Sequence, residues 1–179
     1  HQQVPIAVRR RYLRENRRTE ASVSVRLANY FLAKADPRGD ASWTGPEPRY
    51  FMDLVYYQLR SLMFLALRNT LGSLRFIQRR AQLGAASLEH LLRDYFEAQE
   101  ELRTIKFGLL KESLQQEGPV GQRREVSRAA EIEWIKVYSV YVSTCHGLLA
   151  GYPDLADQQA FSQPDGSAPQ TTAREVLDN

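Results

Sequence analysis

Between Ser87 and Gly118 the apolar residues keep a seven-residue period, and that spacing constrains the fold more than any other feature of the chain. Leu88, Tyr95, Leu102 and Leu109 recur every seventh position, with Leu91, Ala98 and Ile105 three places behind them. Such a seam lines up only on an α-helix that buries one narrow face against a partner helix. Ser87 is placed to cap its start, Glu89 falls in the first turn, and Gly118-Pro119 reads as its stop, which predicts a helix over 88–117. Glu89, Arg93 and Glu97 stand four apart on what reads as its outer face. Asp94, Glu97, Glu100 and Glu101 fall on the side away from the seam and read as a solvated acidic face.

Three further segments carry helical spacing. Val8, Tyr12, Thr19, Val23, Leu27, Tyr30 and Phe31 predict a helix over 9–34, ended by Asp36-Pro37. Residues 35–48 hold three prolines and two glycines and read as a loop; Arg38-Gly39-Asp40 inside it matches an integrin-binding tripeptide but reads as turn chemistry. Residues 49–83 read as one long helix. Asp53, Arg60, Arg68, Arg75 and Arg79 share an arc of about 100°, opposite a broad apolar side that includes Leu54, Leu59, Leu65 and Ile77. Gly72 interrupts that helix where a close crossing or a bend is expected, and Leu83-Gly84 ends it. Residues 122–149 form the fourth helix. Its stripe runs through Val126, Ala130, Trp134, Val137, Tyr141, Cys145 and Leu148, although VYSVYVST on its own has strand-like composition.

The expected fold is therefore all-α: a bundle of about four long amphipathic helices with extended termini. Residues 1–8 form an N-terminal arm, 9–151 the helical domain, and 152–179 a mostly extended acidic tail with a short helical turn near Leu155 to Phe161. Phe161, Val176 and Leu177 are the tail's expected anchors. The two ends differ in charge. Residues 1–26 carry seven Arg against two Glu, and residues 154–179 four Asp and one Glu against one Arg. Ends of opposite sign pair with each other or with separate partners.

The sequence offers little catalytic chemistry. The histidines are His1, His90 and His146, and no Glu-x-x-His pair of the kind a di-iron bundle needs is present. Cys145 cannot form an internal disulfide because it is the one cysteine, and the adjacent His146 points about 100° away from it on a helix. Gly-x-Ser-x-Gly, Gly-x-x-x-x-Gly-Lys-[Ser/Thr] and Gly-x-Gly-x-x-Gly are missing. No cofactor, metal or catalytic residue is expected. The longest uncharged run, Val137 to Pro153, is too short and too polar for a membrane span.

What stands out is arginine: 20 Arg against 4 Lys. Arg9, Arg10, Arg11, Arg14, Arg17 and Arg18 surround Tyr12, and Arg60, Arg68, Arg75 and Arg79 form the expected ridge on the second helix. Guanidinium groups of this density suit carboxylates at protein interfaces or phosphates of RNA. With Phe161 these residues are the candidate contact set. The expected function is a non-catalytic accessory or scaffold subunit of a larger multiprotein assembly, such as a respiratory complex or ATP synthase, working through protein contacts. The alternatives are an RNA-contacting subunit of a ribonucleoprotein such as an organellar ribosome, and a helical enzyme or small-ligand domain. A first residue of His and the Arg-rich start make a removed mitochondrial transit peptide the expectation for localisation, with an intracellular soluble protein otherwise.

Overall fold

The computed structural model describes residues 17–106 and 127–177, and all regular structure among them is helical. The chain runs α1 (Arg17–Ala35), α2 (Pro48–Arg60), α3 (Phe64–Leu71), α4 (Leu74–Gln82), α5 (Ala85–Thr104) and α6 (Arg128–Gly151). A 3₁₀ turn (Pro153–Leu155), α7 (Ala156–Phe161) and α8 (Ala168–Leu177) follow. The all-α expectation holds, but four long helices do not describe the result. The described residues form eight α-helices of mixed length.

The expected helix over 49–83 is broken twice. Leu62 adopts a left-handed φ of +58°, while the Ser61 hydroxyl donates back to the Tyr57 carbonyl at 2.7 Å. The Ser61 amide bonds the same Tyr57 carbonyl at 2.9 Å, so the last turn closes there and α2 stops at Arg60. Gly72 then closes α3, and Ser73 caps α4 by accepting from the Phe76 amide. The apolar stripe survives both breaks because Leu59, Leu67, Leu71 and Leu74 all remain in the core. A side-chain pattern therefore reads as one helix where the backbone makes three. Gly72 also admits a neighbour: a Cβ there would stand 2.3 Å from the Trp134 ring.

In α5 the seam is real. Leu88, Tyr95, Leu102, Leu91, Ala98 and Ile105 are all buried; Leu109 lies outside the described residues. Its bounds differ from expectation. Gly84, at φ +97°, occupies the cap position, and Ser87 is drawn into the first turns, where Arg80 claims its hydroxyl. The helix ends at Thr104, where Ile105 turns extended yet stays buried. Arg128 donates to the carbonyls of Arg103 and Ile105, satisfying groups that a helix end leaves unpaired. Gly118-Pro119 lies outside the described residues.

α5 packs mainly on α6, and α1 on α2. VYSVYVST is helical within α6, and Ser127 caps that helix. The stripe of α6 is rotated from the expected one. Glu131, Ile135, Tyr138, Tyr141, Val142, Cys145 and Leu149 are buried, whereas Ala130 and Leu148 are exposed and Trp134 and Val137 half-buried; Val126 is outside the described residues. The rotation follows from the C-terminal segment, which covers α6 on a second side.

That segment is not an extended tail. The turn near Leu155 to Phe161 forms as expected, but α8 is a further helix. Tyr141 donates to the Ala156 carbonyl at 2.7 Å, and Tyr138 shares a 2.7 Å hydrogen bond with Thr172. The anchors are Ala156, Ala160 and Ala173, all fully buried, while Phe161 is exposed. Alanine lets helices approach closely but adds little to hydropathy, so a helix seated on Ala faces reads as loose polar chain. One apolar core extends from Phe31 on α1 to Ala173 on α8. Among the described residues no helix is long and apolar enough to cross a membrane.

Candidate functional site

The arginine that organises the interior is Arg80, which is fully buried. Arg79 and Arg80 are neighbours on α4, so their side chains diverge by about 100° and only one can join a solvent face. Arg80 turns inward. Its Nε donates to Ser87 Oγ at 2.9 Å, Nη2 to the Ser87 carbonyl at 2.9 Å, and Nη1 to the Phe51 carbonyl at 2.9 Å and to Asp94 at 3.1 Å. One guanidinium thus ties α2, α4 and α5 together. Asp94 is itself 8% exposed, which corrects its place on a solvated acidic face. Burial pushes its carboxyl up to about 7 against the opposing pull of Arg80, and burial lowers the pKa of Arg80 in turn. Both shifts have one cause, the withdrawal of two charges from water. The sequence did hold a signal for this: Asp94 lies three residues after Leu91 and four before Ala98, the spacing of the seam itself.

The expected ridge of arginines does not form, because the breaks at Leu62 and Gly72 distribute its members over three helices. Arg60 on α2 is exposed, its guanidinium 5.4 Å from the Tyr56 ring centroid. Arg68 on α3 pairs with Glu131 of α6 at 3.1 Å and lies 4.5 Å from the centroid of Trp134. Arg75 on α4 reaches Asp157 of α7 at 3.6 Å. Arg79 donates to the Gly45 carbonyl at 3.1 Å and covers the Phe51 ring. Three of the four therefore bind other parts of the same chain. Phe161 is exposed with Arg174 5.9 Å from its centroid. Arg17 and Arg18 open α1, and Arg9, Arg10, Arg11, Tyr12 and Arg14 lie outside the described residues.

The described residues leave several concave places, and two of them lie beside α2 or α3 with apolar floors. The first, about 580 Å³, lies among α1, α3 and the loop after Ala35, floored by Leu32, Leu65 and Ala66 and rimmed by Asn29, Asn69 and Arg38. Its wall is fixed from within. The Asp36 carboxylate accepts from the amides of Ala41 at 2.8 Å and Trp43 at 3.3 Å and from the Ser42 hydroxyl. These bonds hold Ala41 and Trp43 at positive φ, +59° and +52°. Trp43 is buried, stacks edge-on against Phe76 at 4.9 Å and donates to Ser73 Oγ at 2.7 Å. Gly45 is required where the loop returns, since a Cβ there would stand 2.3 Å from the Lys34 carbonyl oxygen. The loop expected over 35–48 is thus a fixed structural plug. Arg38-Gly39-Asp40 forms its turn, with Gly39 at φ +66°.

The second is a groove of about 330 Å³ between α2 and α5. Tyr56 and Phe96 face it, Leu59 and Leu62 lie beneath, and Glu97, Glu100, Glu101 and Thr104 form the α5 wall, with Arg60 on the α2 side. Phe96 is 61% exposed and Tyr56 41%. Neither histidine of the described residues lines it. His90 is exposed on α5, and His146 is half-buried on α6 beside Cys145, whose thiol is buried and raised in pKa by that burial. Among the described residues no group of three or more His, Cys, Asp or Glu side chains is placed to hold a metal ion. The arrangement offers surfaces for contact and a polar interior used for packing. No family model, curated protein or solved structure matches the chain.

Proposed function

We propose that the protein is a non-catalytic helical accessory or scaffold subunit that works by holding other proteins in a larger assembly. The observation that carries this reading is the division of polar and aromatic residues. The buried polar groups Arg80, Asp94, Tyr95 and Tyr141 bind helices to one another. Large apolar side chains are meanwhile left in water: Tyr56 and Phe96 at the α2–α5 groove, and Val140, Leu148 and Tyr152 on α6 and at its end. A chain that spends its polar chemistry on rigidity and exposes aromatic rings has the character of an interaction module.

A mitochondrial setting, in a respiratory complex or ATP synthase, is supported only by the arginine-rich composition and belongs to the same proposal. Contact with RNA would fall to the basic segment Arg9 to Arg18, since Arg68, Arg75 and Arg79 have partners within the fold. Native purification with identification of the stable partners separates these readings. Other proteins should co-purify through nuclease treatment; a free monomer defeats the proposal. RNA that co-purifies and is released by charge reversal at Arg9, Arg10 and Arg11 would favour the ribonucleoprotein instead.

A further inference from the structure

The charge that lines the α2–α5 groove says what it can accept. Tyr56 and Phe96 present rings from two different helices over a floor of Leu59 and Leu62. A wall of three carboxylates faces one guanidinium across it. Glu100 is engaged by Arg103, and Arg60 is drawn over the Tyr56 ring. Glu97 and Glu101 have no ion pair among the described residues. Apolar contact along the groove, with acid on one side that is unpaired among the described residues, is the complement of a helix that carries an apolar stripe flanked by Arg or Lys. Nucleic acid meets the wrong sign here, because its phosphates would face Glu97 and Glu101.

We propose that the α2–α5 groove is a docking site for a basic amphipathic helix of a partner protein. Phe96 and Tyr56 are its apolar anchors, and Glu97 and Glu101 select for positive charge. The proposal rests on the scaffold reading above and deepens it by naming the partner's chemistry. An aromatic anchor that is mostly exposed in the free chain loses most of its water contact when a helix lies across it, which places the largest effect on Phe96. The carboxylates act through complementarity, so they govern salt dependence and discrimination between basic and acidic ligands.

The test uses the full chain and two fluorescent peptides of about 18 residues, five helical turns. One bears a leucine stripe flanked by Lys and Arg, and the other carries Glu in place of each basic residue. Fluorescence anisotropy should show the basic peptide binding at least ~10-fold tighter than the acidic one, and more weakly as salt rises from ~50 to ~300 mM. Phe96→Ala should weaken the basic peptide by ~10-fold or more. Glu97→Lys with Glu101→Lys should remove the preference for it. Tyr152→Ala, at the end of α6, should change nothing. Equal loss in Tyr152→Ala, or no change in the groove variants, overturns the site, as does a uridine oligonucleotide that binds more tightly than the peptide and is lost with Phe96→Ala. Circular dichroism and thermal melts of each variant show that it is folded. Native purification separates the two levels of the proposal. Stable partners that persist with Phe96→Ala/Glu97→Lys overturn the groove and leave the scaffold reading standing, whereas a wild-type free monomer overturns the scaffold reading itself.

Discussion

Asp94 and Glu97 lie three residues apart on α5, carry the same functional group, and live in opposite worlds. Asp94 is enclosed with Arg80 and its carboxyl is pushed up to about 7. Glu97 is exposed on the wall of the groove and has no ion pair among the described residues. The same contrast separates Tyr95, fully buried with its hydroxyl on the Leu71 carbonyl at 2.7 Å, from Phe96 next to it, mostly in water. One helix thus has an inner face whose polar groups set the positions of α2 and α4, and an outer face whose groups have no such duty. Stability is expected to depend on the first and binding on the second.

The sharpest way to break this comparison is to remove the inner carboxylate. Asp94→Leu strands a buried guanidinium, and chemical denaturation should show a loss of about 3–5 kcal/mol. Arg80→Met combined with Asp94→Leu should recover most of it, since both buried charges are then gone. If the single variant is as stable as the wild type, Asp94 belongs with Glu97 after all.

Titration sharpens the same contrast. The folded carboxyl of Asp94 lies at about 7, above its ordinary value of 3.8, so the folded chain binds more protons than the unfolded one between these pH values. The associated stability is present below pH ~4 and is lost as pH rises to ~7. Denaturation midpoints measured across that window should show this slope, and Asp94→Asn should flatten it. Glu97→Gln, which removes a charge that adds to the upward push on Asp94, should lessen the slope only slightly.

Tyr95→Phe leaves the Leu71 carbonyl without its buried donor and should lower stability by about 1–3 kcal/mol in thermal or urea melts. Phe96→Ala, one residue on, should change stability by less than about 0.5 kcal/mol, because the ring it removes is already in water. Similar losses at the two positions would mean that the outer face is part of the packing.

How much of this was legible in the sequence varies with the element. The α5 seam was readable because its burial repeats with the helix's own period, so composition and geometry give the same message. The three-helix path over residues 48–82 was not. Leu59, Leu67 and Leu74 keep the spacing of one helix; Gly72 marked the place of a close crossing, which Trp134 makes, but nothing in the spacing marked the left-handed Leu62. The C-terminal helices were hidden for a different reason, since their contacts are alanines and hydroxyl bonds that hydropathy does not weigh. Among the described residues of the candidate contact set, only Arg60 lines the groove. Phe96, Glu97 and Glu101 were passed over because an exposed ring beside carboxylates on a helix looks like any solvated face until a second helix is laid next to it.

The sequence by itself determined that this chain is helical and which face of α5 is buried, because local spacing is enough to decide a single helix. It also determined an arginine-rich surplus of guanidinium groups. Only the tertiary structure decided where those groups went: Arg80 into the core, Arg68 onto Glu131 and Trp134, Arg75 onto Asp157, and Arg79 onto the loop before α2. A long flexible side chain reaches whatever its neighbouring elements bring within range, and its own position in the chain does not specify those neighbours.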